Sequence, residues 1–155
     1  MKFSTREDVD APIADVFEAL CDFDAFERAA MRRGAEVTRK VEPEGSGLGA
    51  KWDVALVMRG KAREITLEVT DAREPEFLTV SMTSKSFLGS LGVELIALSR
   101  SKTRMVIGFE VRPQNLSARV LVQSAKLTKP KLDAKFRDRV ALQVREMESR
   151  LQARV

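Results

Sequence analysis

The segment LSARVLVQSAKLTKPKLDAKFRDRVALQVREMESRL, Leu116 to Leu151, decides how the rest of the chain must fold. Apolar residues recur in it at Leu116, Val120, Leu127, Leu132, Phe136, Val140, Val144, Met147 and Leu151, with the small Ser124 in the same series. Steps that are mostly three or four keep such a series on one face of an α-helix. One helix of this length runs roughly 50 Å at about 1.5 Å per residue. Pro130 lies near its middle, removing one backbone hydrogen bond and crowding the preceding turn, so a single bent helix is expected. Its apolar stripe must be covered by what precedes it.

What precedes it alternates with a period of two. Met105, Ile107, Phe109 and Val111 form one side of a final strand ahead of Pro113. Leu88 to Leu98 is apolar on both sides in places, and Leu78, Val80 and Met82 share one side of Phe77 to Thr83. In Lys61 to Thr70, Ile65, Leu67 and Val69 oppose Glu64, Thr66 and Glu68, while Trp52, Val54, Leu56 and Met58 alternate in the strand before it. Gly60 permits a tight reversal between those two strands. Val37 and Val41 mark another strand, and Phe3 to Val9 an opening one. Between them sit two short helices. Pro12 starts the first, with Ile13, Val16, Phe17 and Leu20 on its apolar face, and Asp22 or Asp24 caps the second, which Gly34 ends. The result is an α+β chain whose antiparallel sheet of about seven strands curls rather than lying flat. A single helix cannot fill so broad a curl, so space is expected between them.

Composition narrows the chemistry. The chain has 155 residues, 44% hydrophobic and 32% charged, which fits one folded domain spanning 1–155 with a substantial core. It contains no histidine and no tyrosine. That removes the commonest general acid/base and the commonest metal ligand, so neither a metal nor another cofactor is expected. Cys21 is the one cysteine, and with no histidine to activate it an inert thiol is the natural reading. Met1 to Asp8 lacks an apolar signal-like region, which makes a cytoplasmic address the expectation.

The stretch Asp10-Ala11-Pro12-Ile13-Ala14-Asp15-Val16-Phe17 with Leu20 and Asp22 carries a resemblance when joined to two further features. These are the glycine-rich Gly45 to Gly49 leading into Ala50-Lys51-Trp52, and the long terminal helix. Together they resemble the START-like superfamily, also called SRPBCC or polyketide cyclase/dehydrase and lipid-transport proteins, over nearly the whole chain. The resemblance implies a helix-grip fold, a sheet folded around the C-terminal helix with two short helices closing one end of an apolar cavity. The superfamily hosts transporters, cyclases, hydrolases and regulators alike.

On this reading the cavity is lined by Trp52, Leu56, Met58, Ile65, Leu67, Leu78, Val80, Met82, Met105, Ile107 and Phe109, with Leu127, Leu132 and Phe136 from the helix. For any one of these, plain core packing is the more common reading, because alternating apolar residues are usually buried whether or not a ligand is present. Phe87 and Leu88 are candidates for its mouth. Arg39, Arg63 and Glu94 share parity with apolar neighbours, and an inward one would pair with a ligand's polar head or another charge. Gly45-x-Gly47-x-Gly49 opens a strand rather than a helix, which argues for a flexible hairpin at the cavity entrance and against a phosphate loop. Arg119, Lys126, Lys129, Lys131, Lys135, Arg137 and Arg139 make a basic helix face, with Asp133 and Asp138 interleaved. It reads as solvated surface, or as a contact for an anionic membrane; without interleaved aromatic residues, no nucleic-acid partner is expected. The function expected is binding of a small hydrophobic ligand, a lipid, isoprenoid or polyketide-like compound, as carrier or sensor. A cyclase or hydrolase of the same superfamily, or an interaction protein using the basic face to meet quinone, ribosome or chaperone, are the competing readings.

Overall fold

A computed structural model describes residues 1–58 and 60–154. Strand β1 (Lys2–Val9) leads to helices α1 (Ile13–Leu20) and α2 (Phe23–Arg32). Six strands follow: β2 (Glu36–Val41), β3 (Lys51–Met58), β4 (Lys61–Arg73), β5 (Phe77–Ser84), β6 (Phe87–Ser99) and β7 (Lys102–Pro113). Helices α3 (Leu116–Lys126) and α4 (Lys129–Ala153) close the chain. The seven strands form one sheet in the order β1-β7-β6-β5-β4-β3-β2, with every neighbouring pair antiparallel. β2 to β7 is a simple meander. β1 pairs with β7 at the opposite edge from β2, so α1 and α2 carry the chain from one edge of the sheet to the other. This is the helix-grip architecture.

Local chemistry accounts for the connections. The Asp22 carboxylate accepts from the Ala25 amide at 3.1 Å and caps α2, and Asn115 accepts from the Ala118 amide at 2.8 Å and caps α3. Each satisfies a helix N–H that has no partner within the helix. Gly34, at φ +89°, ends α2 in the left-handed region that a Cβ disfavours.

The alternation of the strands sorts the sheet into two faces. Cross-strand pairs Trp52↔Leu67, Val69↔Val80, Leu78↔Val93 and Val93↔Ile107 lie on the face that meets α1 and α4. At the end of the sheet covered by α1, this face is packed solid. Val9, Val16, Phe17, Trp52, Val69, Leu78, Val93, Leu95 and Met105 join Val144 and Met147 of α4 in one buried cluster. Among the described residues Thr103 is the one buried polar side chain, and its hydroxyl donates to the Ala11 carbonyl at 2.8 Å.

The terminal segment corrects one expectation. The chain breaks at Leu127 and Thr128 into two helices, and Pro130 lies in the first turn of α4 rather than at a bend inside one helix. In a first turn the missing proline N–H has no intrahelical acceptor to lose, so the residue begins a helix at little cost. The single apolar stripe divides accordingly. Its C-terminal part, Val140, Val144, Met147 and Leu151, joins the core, and Phe136 packs against Phe3 at 5.6 Å between ring centroids.

Candidate ligand-binding hollow

The packed cluster occupies only the α1 end of the concave face. Toward the other end, marked by the β3–β4 reversal, the β5–β6 turn and the N-terminus of α3, the same face carries Val54, Met58, Ile65, Met82, Phe87, Phe109 and Val111. Among the described residues no side chain of α4 lines this space; Leu121 of α3 borders it instead. The whole open volume measures about 1100 Å³. Its walls also include Glu36, Asp53, Glu64 and Thr66, which belong to the opposite parity of β2, β3 and β4, so this volume covers both faces of the β3–β4 hairpin. The inner share is the space under α3. Ligand hollows span roughly 300 to 1,000 Å³.

Arg63 is the charged group of the inner wall. It pairs with Leu56 across β3 and β4, has the parity of Ile65 and Leu67, and is half-buried. Among the described residues no carboxylate lies within 4 Å of it. A guanidinium with its five N–H donors held in an apolar wall is a ready partner for an anionic or hydrogen-bond-accepting head group.

The other two polar candidates are placed elsewhere. Arg39 is on the inner face but already committed: its guanidinium meets Glu27 at 2.6 Å, Asp24 at 2.7 Å and Glu42 at 3.1 Å. The Glu27 hydrogen bond, followed by those to Glu42 and Asp24, holds its pKa above the ordinary arginine value. The indole of Trp52 donates to the same Glu27 oxygen at 2.9 Å, and Phe23 and Phe26 meet the indole edge-on at 4.9 and 5.5 Å. This cluster fastens α2, which has no buried residue of its own, to β2 and β3. Glu94 faces outward, paired with Phe77 and Val106, beside a groove of about 410 Å³ that also involves Arg73 and Ile96. The inner residues of β6 are Leu91, Val93 and Leu95, one position out of step with Glu94.

The apolar candidates divide between hollow and core. Met58, Ile65, Met82 and Phe109 line the open volume, as does Phe87. Trp52, Leu78, Met105 and Ile107 are buried in the packed cluster, while Leu56, Leu67, Val80 and Phe136 are partly buried against it. Leu132 is half-buried, and Leu88 is exposed and outward. Leu127 is 86% exposed, because it caps the C-terminus of α3 and points away from the sheet. The wall residue that helical periodicity missed is Leu121. It lies off the stripe that starts at Leu116, and it borders the space while staying 41% exposed.

The glycine-rich turn is not an entrance flap. Glu44 N bonds Leu48 O at 2.8 Å, Gly49 N bonds Val69 O at 2.9 Å, and the Cys21 thiol donates to the Ser46 carbonyl at 3.2 Å. Gly47, at φ +121°, is buried against Phe23, where an added Cβ would come within 3.1 Å of the ring. Burial, with a smaller contribution from Glu74, pushes the Cys21 thiol up to about 11. The turn therefore seals the α1–α2 end, and the hollow opens at the other.

Neither a protein-family profile nor a curated protein sequence matches this chain. Solved structures do. The Zhui aromatase/cyclase from Streptomyces sp. R1128 superposes with a TM-score of 0.68 at 15% identity, covering 97% of this chain and 95% of that one. A START superfamily protein from Mycobacterium smegmatis gives 0.58 at 10% identity over 86% and 95%. Ara h 8.0201 gives 0.58 at 14% identity over 99% and 98%. The chain has the START/SRPBCC-like helix-grip fold. Among the described residues no helix is long and apolar enough to cross a membrane.

Proposed function

We propose that this chain, acting over 1–155 as one ligand-binding unit in the cytoplasm, holds a small amphipathic molecule in the hollow under α3. The apolar body lies against Met58, Ile65, Met82, Phe109 and Leu121, and an acidic or hydrogen-bond-accepting head meets Arg63. The observation that carries this reading is the half-buried Arg63 on a mostly apolar inner wall, with no carboxylate partner among the described residues. Such a charge is costly to desolvate unless something completes it. Burial of ligand surface supplies affinity at about 25 cal/mol per Å², and the charged contact supplies discrimination among apolar compounds. The chain acts as carrier or sensor, with sequestration rather than bond making as its task. The solved structures with this fold, an aromatase/cyclase among them, support a hollow for an apolar compound.

Two measurements test this. Native mass spectrometry before and after organic extraction identifies what the purified protein retains; an acidic lipid-like compound is expected. Displacement of a fluorescent apolar probe should then be stronger with a long-chain carboxylate than with the alcohol of equal length. A protein that takes up no probe and retains nothing contradicts the reading.

A further inference from the structure

Helix α3 is apolar on two opposite sides. Ala118 and Val122 are buried against the body of the protein. Leu116, Val120 and Leu127 are 76%, 60% and 86% exposed. At about 100° per residue these three fall within roughly 40° of one another, about 120–180° around the helix from Ala118 and Val122. A helix that only roofs the hollow needs one apolar face. The second is left in solvent, where three large apolar side chains at helical spacing are a contact surface rather than scatter.

Charge indicates what the surface meets. From Val111 to Leu132 the chain contains no acidic residue, but it contains Arg112, Arg119, Lys126, Lys129 and Lys131. Arg112 is paired with Glu110 and Lys129 with Asp133. Among the described residues Arg119, Lys126, Lys131 and the neighbouring Lys135 have no ion-pair partner. All four are exposed. Arg119 and Lys126 lie roughly 80–100° from the middle of the apolar stripe, on one flank of it. Lys85 joins them, because the Asn115 amide donates to the Ser86 hydroxyl at 3.3 Å and holds the β5–β6 turn beside the start of α3.

We infer that the outer face of α3 docks on an anionic lipid bilayer, with Leu116, Val120 and Leu127 entering the interface and the unpaired cations meeting head groups. Apolar anchors bordered by basic side chains are the chemistry of interfacial helices. The docked helix is the one whose Leu121 roofs the hollow, so contact brings the open end of the sheet to the lipid surface.

Sedimentation of the whole chain with vesicles of phosphatidylcholine alone, or mixed with phosphatidylglycerol, tests this. Binding is expected with the mixed vesicles and should fall steeply as salt rises. Reversing Arg119, Lys126 and Lys131 to Glu should weaken it by at least about a hundredfold, from roughly 1 kcal/mol for each basic group near the surface. Leu116→Ser with Leu127→Ser should weaken it by about tenfold per residue. All these positions are exposed, and unchanged thermal unfolding of each variant controls for folding. Arg63→Leu should leave vesicle binding intact, which separates this proposal from the occupant of the hollow. Equal binding to both vesicle types, or none at low salt, overturns it. So does a concentration-dependent dimer abolished by the two serine substitutions, which would assign the stripe to a second copy of the chain.

Discussion

The Trp52 indole donates to Glu27 Oε1 at 2.9 Å, and that same oxygen accepts from Arg39 Nε at 2.6 Å. One carboxylate from α2 thus satisfies a ring from β3 and a guanidinium from β2. Because α2 buries no side chain fully, this oxygen, the two rings set edge-on to the indole and the Asp24–Arg39 pair fasten it. Glu27→Ala leaves two partly buried donors without an acceptor and should cost about 2–3 kcal/mol. Glu27→Gln keeps an acceptor but loses the charge, and should cost less. Chemical denaturation of the two variants checks the order.

Thr103→Val tests the one buried polar contact of the core. The substitution keeps the side-chain shape but strands the Ala11 carbonyl, which accepts from Thr103 Oγ1 at 2.8 Å. A loss of about 1–3 kcal/mol is expected in the same denaturation experiment.

Cys21 should react slowly. With the thiol pushed up to about 11 by burial, the thiolate fraction near pH 8 is roughly a hundredfold below that of an ordinary thiol at 9.0. Alkylation by iodoacetamide in native buffer should show that ratio against the unfolded protein. Stability should also decline as pH rises from about 9 to about 11, because only the unfolded thiol ionises there.

Asp8 and Arg104 set an acid-side dependence. The Arg104 guanidinium, bonded to both Asp8 oxygens at 2.9 and 3.3 Å, holds that carboxyl below its ordinary value. A depressed carboxylate contributes stability that is present above the unfolded pKa and lost as pH falls through the folded one. The stability difference between wild type and Arg104→Leu should therefore be constant above about pH 5 and shrink below about pH 4. Denaturation midpoints measured across that range check it.

The sheet was legible because its strands alternate cleanly. Ile65, Leu67 and Val69 against Glu64, Thr66 and Glu68 assign both faces of β4, and Gly60 and the polar Ser99–Lys102 turn place reversals. β6 was not, since Leu91, Val93 and Leu95 alternate with Glu94, Ile96 and Leu98, and both sets look apolar. Only pairing with β5 and β7 turns Glu94 outward. The hollow was legible as an expectation of excess width, but its position was not. Which apolar residues pack solid and which stand open depends on where the terminal segment breaks; Leu127, at the break, is left in solvent, and Leu121 borders the hollow. Arg63 was recoverable from parity alone, whereas the commitment of Arg39 to α2 required residues distant in sequence to meet.

Direct titration of a long-chain fatty acid into the wild-type protein and into Arg63→Leu tests the central claim. Saturable binding of one molecule per chain, weakened about tenfold to a hundredfold in the variant, is the predicted result, from roughly 1.5–3 kcal/mol for a hydrogen bond to a charged group. Equal affinity of the two proteins, or no saturable binding to the wild type, would contradict it.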